Sequence, residues 1–187
     1  MNARADASAP SDREGPVAPD WSALYDEHFD FVWRSLRRLG VPDSSLDDVA
    51  QEVFVLAFRR REAFAGRSSR KTWLFGIAWH KAREFSRHAR RHPESELTDM
   101  DLPATLANQE DALERREALR FLYLVLGELA PERRAVLVMA EVEEMPAPEI
   151  AQILGVPLNT AYSRIRLARR DFEAAVKRCR AKKGTAR

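Results

Sequence analysis

Hydrophobic positions in this chain recur at three- and four-residue steps, and no alternating run is long enough to mark a strand. Leu24, Phe31, Val32, Leu36 and Leu39 stripe a first helix that starts near Trp21 and ends at Gly40 and Pro42. Ser44 and Ser45 ahead of Asp47 and Asp48 form a capping-box-like start to a second helix, whose inner stripe is Val49, Val53, Leu56 and Ala57. The polar loop from Ala65 to Ser69 leads to a third helix, with Leu74, Ile77, Ala78 and Phe85 facing inward and Pro93 as its stop. Leu113, Leu119, Leu122, Val125, Leu126 and Leu129 mark a long fourth helix. Pro131 suits the first turn of another, from Glu132 to about Val142. A short helix, Glu149–Leu154, ends at Gly155, and a basic helix runs from Leu158 toward Cys179.

This pattern predicts an all-α protein of two small helical domains, residues 21–92 and 109–180. Between them, residues 93–108 are acidic and hold Pro93 and Pro103, which predicts a flexible linker. Residues 1–20 are mostly Ala, Ser, Pro and Asp and predict a disordered tail, and residues 181–187 a basic tail.

Composition narrows the possibilities. Hydrophobic residues make up 45% of the 187, enough for a packed core, and the 7 glycines are few for a protein of many tight turns. Cys179 is the single cysteine, which excludes an intrachain disulfide and a cysteine-cluster zinc site. No apolar run approaches the roughly 18 residues of a membrane span, so no membrane insertion is expected. The N-terminus lacks the basic start and apolar stretch of a secretory signal, and the expected compartment is the cytoplasm. The net charge of +2 conceals an uneven distribution: −2 over residues 1–20, +5 over 21–92, −6 over 93–117 and +5 over 118–187. Two basic modules flank an acidic connector, which favours polyanionic partners.

Three segments carry chemistry. In Glu149–Phe172 a short helix, a glycine turn and an Arg-rich helix form a helix-turn-helix arrangement. Ile150, Ala151, Leu154, Val156, Ala161, Ile165 and Ala168 pack inward. Asn159, Thr160, Tyr162, Ser163, Arg164 and Arg166 are left to meet base edges or phosphates in a major groove, with Arg169 and Arg170 suited to phosphates. On the third helix, Trp79, Arg83, Arg87 and Arg90 share one face, where a ring could stack on an unpaired base while arginines track phosphates. That face could equally be a packed tryptophan beside solvated arginines. In the second helix, Asp47, Asp48, Gln51, Glu52 and Phe54 combine acidic and apolar groups, the mixture of a protein-binding helix, although a capped amphipathic helix has the same look.

Catalytic signatures are missing. There is no phosphate-cradling glycine loop and no nucleophile motif, so no enzyme and no cofactor are expected. Glu84, His88 and His92 share a helix face, but Arg87, Arg90 and Arg91 make it a poor place for a cation, and no metal is expected. A helical enzyme with a metal there stays open as a separate reading that metal analysis can test.

In chain order these segments resemble the extracytoplasmic-function sigma factors, the short two-domain class of sigma-70 subunits of bacterial RNA polymerase. LDDVAQEVFVLAF resembles region 2.2, and RKTWLFGIAWHKAREFSR resembles regions 2.3 and 2.4. LAPERRAVLVMAEVEEMPAPEIAQILGVPLNTAYSRIRLARR resembles region 4. The resemblance implies core RNA polymerase and promoter DNA as partners, an anti-sigma factor as a further one, and a role in promoter opening. Asp47, Asp48, Gln51, Glu52 and Phe54 would face the clamp coiled coil of the polymerase β′ subunit, with the β subunit also in contact. Phe64, Arg67, Ser68, Ser69, Arg70 and Lys71 would hold an unstacked base of the −10 element, and Trp79, His80, Arg83 and Arg87 would line the DNA path. Trp73 would pack rather than touch DNA. Asn159, Thr160, Tyr162, Ser163, Arg164 and Arg166 would read the −35 element, with Arg169 and Arg170 on its phosphates. The length leaves no room for the region 1.1 and region 3 domains of larger sigma factors. The chain departs from the family at Trp79-His80, commonly Arg-Asn, at Glu84, commonly Asp, and at Tyr162, commonly basic. A stand-alone helix-turn-helix regulator is the rival reading, but the acidic-apolar second helix would have no use in it.

Overall fold

The structure is a computed structural model, and it describes residues 21–64, 66, 68–91 and 109–185. The tail at 1–20 and the linker at 93–108 lie outside these residues. Among the described residues the regular structure is entirely helical. The helices are α1 (Trp21–Leu39), α2 (Leu46–Arg59), α3 (Arg70–Arg91), α4 (Gln109–Gly127), α5 (Pro131–Leu137), α6 (Ala147–Leu154) and α7 (Leu158–Thr185). Helix α7 passes Cys179 and takes in most of the segment expected as a basic tail, because Glu128 holds Lys182 at 2.9 Å and Arg178 at 3.5 Å against the end of α4.

Helices α1, α2 and α3 pack on one another. Val32 and Leu36 from α1, Leu46 and Val53 from α2, and Leu74 and Phe75 from α3 are fully buried where they meet. The start of α2 differs from the expected capping box: Ser45 makes no side-chain cap, and a 3-10 turn over Asp43–Ser45 leads into the helix instead. Asp47, freed from capping, accepts the Trp33 indole N–H at 2.9 Å and ties α2 to α1.

Helices α4, α5 and α6 each pack against α7. The helix expected from Glu132 to Val142 is two pieces: α5, then a single π turn over Val138–Val142, in which the Glu143 N–H reaches the Val138 carbonyl at 3.0 Å. This wider turn precedes Glu144 at φ +50 and the entry to α6. Gly155 closes α6 with φ +63, the left-handed conformation that glycine adopts without steric cost.

The helices expected as two domains touch directly. Arg134 donates to the carbonyls of Leu126 (2.7 Å), Gly127 (3.2 Å) and Leu129 (3.4 Å) at the end of α4, and to Leu39 (3.2 Å) at the end of α1. One guanidinium thus satisfies carbonyls left open at two helix ends. Gly40, at φ +94, is required on both counts: any side chain there would run into the Arg134 guanidinium.

His28 is buried on α1, and among the described residues neither ring nitrogen has a hydrogen-bond partner. Burial holds the imidazole below its ordinary range; Glu27, 3.7 Å away, opposes this, and the Lys71 and Arg70 charges add to it. The unfolded chain therefore binds the proton more readily. Stability from this group is complete above the ordinary histidine range and is lost as pH falls through the lowered folded value. Thermal midpoints at pH 7.5 and 5.5 should show a drop that His28→Gln reduces. An equal drop in the variant would assign the pH dependence to other groups.

Candidate polymerase and nucleic-acid interfaces

On α2, Asp48, Gln51, Glu52 and Val55 follow one another at helical offsets, and all four are exposed. They line a cleft with Leu56, Arg59 and Lys81. Lys81 Nζ bonds Glu52 at 2.8 Å and also approaches Glu84 at 3.5 Å. Beside this polar ridge runs an apolar groove lined by Trp21, Tyr25, Phe54, Val55 and Phe58. Tyr25, Val55 and Phe58 are large apolar side chains left in water, which marks the groove as a docking surface. Phe54 itself is largely buried, its ring set against Tyr25 at 4.8 Å and Phe29 at 6.3 Å, so it floors the groove rather than projecting from it. Tyr25, Val55 and Phe58 were not singled out from sequence. The signal for the last two was present as offsets of four and seven from Gln51 on the same helix face.

The loop before α3 places Phe64 and Ser68 half-buried and Ser69, Arg70 and Lys71 exposed, whereas Arg67 lies outside the described residues. Phe64 packs on Trp73 at 5.0 Å, and Trp73 on Trp21 at 6.5 Å, so the loop is anchored by rings. Ser69 caps α3, with its Oγ accepting from the Thr72 N–H at 3.0 Å.

Trp79 requires correction. It is 4% exposed and belongs to the core with Leu74, Phe75, Ala78 and Ala82, so its ring is not available to a base. The inner stripe of α3 runs through residues 74, 75, 78, 79 and 82, one step round from the stripe expected through 74, 77 and 85, and Phe85 is only half-buried. His80, Arg83 and Arg87 are exposed and lie on one helix face. Arg60 joins them from the end of α2: burial, then the Arg60 and Arg83 charges, hold the His80 imidazole below its ordinary range. This face is therefore strongly cationic without the ring expected at its centre.

On α7, Asn159, Tyr162 and Arg166 are exposed, with Tyr162 at 56%, while Thr160, Ser163 and Arg164 are half-buried. Ala161, Ile165 and Ala168 are buried behind them, as the sequence stripe requires. Ser163 Oγ donates to the Asn159 carbonyl of its own helix at 2.7 Å, so its hydroxyl proton is already committed. Arg169 pairs with Glu141 at 2.7 Å and Arg170 with Asp171 at 3.5 Å.

Of the metal alternative, Glu84 is engaged with Lys81, and His92 lies outside the described residues. Among the described residues no three His, Cys, Asp or Glu side chains are grouped to hold a metal ion, and no helix is long and apolar enough to cross a membrane.

Comparison with known proteins agrees with this layout. The family described as Sigma-70 region 2 matches residues 24–92, and Sigma-70, region 4 matches residues 120–172. The RNA polymerase sigma factor CnrH of Cupriavidus metallidurans is 30% identical over 149 residues, 75% of this chain and 78% of its own. The ECF RNA polymerase sigma-E factor of Escherichia coli K12 is 28% identical over 145 residues, covering 73% and 76%. A solved structure of CnrH in complex with the cytosolic domain of CnrY superposes with a TM-score of 0.60 at 25% identity, covering 84% of this chain and 87% of that one. The chain belongs to the extracytoplasmic-function class of sigma-70 factors.

Proposed function

We propose that this sigma factor binds core RNA polymerase through α2, directs it to promoters with −10 and −35 elements, and assists strand opening without catalysing a reaction itself. The observation that carries this reading is the presence, in one chain and in family order, of an acidic-apolar docking face on α2 and a basic helix-turn-helix on α6 and α7. A stand-alone regulator would need only the second. The cytoplasm, where polymerase and promoter meet, is the compartment this activity requires. CnrH is seen with the cytosolic domain of CnrY, and by analogy an anti-sigma polypeptide is a further partner of this chain. The test is run-off transcription by core polymerase on the promoter of the protein's own operon. A transcript that depends on the added protein is expected. DNA binding with no dependent transcript would favour the stand-alone regulator.

On the −10 side, His80, Arg83, Arg87 and Arg60 track the DNA path, and Ser68 to Lys71, with Phe64 and Arg67, form the pocket for an unstacked base. On the −35 side, Tyr162 leads. Its ring can contact a thymine methyl and its hydroxyl a phosphate or base edge. Tyr162→Ala should cost about 1–3 kcal/mol on the native −35 sequence. It should also change the ranking among a small library of −35 variants, measured by affinity at two salt concentrations. An unchanged ranking would leave the readout to Arg164, Arg166 and Asn159.

A further inference from the structure

The first helix of the helix-turn-helix is turned toward the −10 pocket. Glu149 Oε2 on α6 accepts from the Thr72 hydroxyl at 2.8 Å, and that hydroxyl lies 2.9 Å from Ser69 Oγ. Nearby, Glu143 bonds Arg38 at 3.0 Å, with both side chains largely buried (12% and 24% exposed), and Lys71 and Arg34 also face Glu143 electrostatically. Ile153 of α6 meets Gly76 of α3, where only a glycine-sized residue leaves room for it. Arg37 of α1 lies 5.0 Å from the Tyr123 ring of α4. Two carboxylates of the −35 domain thus occupy the cationic edge of the −10 domain, where promoter phosphates would otherwise sit.

This arrangement cannot be the promoter-bound one. Ten residues separate Glu149 from Asn159, which limits the recognition helix to within roughly 36 Å of the −10 pocket even if that segment were fully extended. Elements centred about 10 and 35 positions upstream are about 25 base pairs apart, roughly 85 Å along the axis. Both cannot be engaged until the two helical units separate.

We infer that this sigma factor closes on itself, with Glu143 and Glu149 as a DNA-mimicking latch that masks its −10 pocket until opening. The inference rests on the proposed −10 assignment for what is masked, but the closure itself is measurable without it. Dyes on Glu62→Cys and Glu173→Cys, both exposed positions, report the separation of the two units in the full chain, and the buried Cys179 stays unlabelled. Glu143→Arg, set against Arg38, Arg34 and Lys71, should shift the dye pair to low transfer, and Arg38→Glu with Glu143→Arg should restore high transfer. Thr72→Val with Glu149→Gln opens the latch without a charge reversal, in case the arginine variant does not fold. If the wild-type chain is closed nine-tenths of the time, opening should tighten binding of a labelled 20-nucleotide single-stranded DNA by up to about 10-fold. High transfer in every variant, or low transfer in the wild type, would overturn the closure. Opening without tighter DNA binding would overturn the masking. Run-off transcription by the wild-type chain tests the sigma activity separately.

Discussion

Replacing Asp48 and Glu52 together with arginine should abolish co-purification with core polymerase while leaving the fold intact. Both side chains project into water from α2, off the buried Val49, Val53 and Ala57 stripe, so the substitution removes no packing. The only internal partner lost is the Lys81–Glu52 pair, which is exposed on the Glu52 side and of small value. Against a partner whose surface complements two carboxylates, reversing both charges costs about 3 kcal/mol or more, roughly two orders of magnitude in affinity. The apolar groove beside them supplies a control. Phe58→Ala should weaken binding without introducing repulsion, so its effect should vary little with salt, whereas the charge reversal should be partly relieved at high salt. A folded double-arginine variant that still binds would place the polymerase contact elsewhere.

Trp79→Ala separates two roles that the sequence left open. As a core residue, Trp79 should cost about 3–5 kcal/mol of stability when truncated, close to the whole margin of a small domain. Arg83→Ala and Arg87→Ala should leave stability within about 0.5 kcal/mol and reduce affinity for DNA, more so at low salt. Denaturant melts of the three variants decide the matter. A stable Trp79→Ala protein with defective DNA binding would return the ring to the DNA path.

The contrast at Trp79 shows how far a helical stripe can be read alone. A tryptophan four residues from an arginine fits either a stacking platform or the edge of a core. The decision depends on where α1 and α2 lie against α3, and those contacts are remote in sequence. At Ser45 a cap motif is present in the letters, yet the backbone satisfies the helix end through a 3-10 turn and sends the neighbouring Asp47 to Trp33. The helix-turn-helix was legible because its determinants are local: a left-handed glycine, a short apolar helix before it and an apolar stripe behind the exposed arginines all lie within about two dozen residues.

The sequence by itself determined the helical class, the positions of the helices, the acidic-apolar face of α2, the outward face of α7 and, through motif order, the family. Each depends on spacing along one helix or across one turn, where geometry follows directly from 3.6 residues per turn. Only the tertiary structure decided that Trp79 is core, that Tyr25, Val55 and Phe58 form the apolar groove, and that Arg60 joins the cationic face of α3. It alone shows the two helical units closed on each other through Arg134, Glu143 and Glu149. Those pairings join residues from about 60 to more than 100 positions apart, and nothing in local propensity or periodicity specifies which distant side chain will meet which.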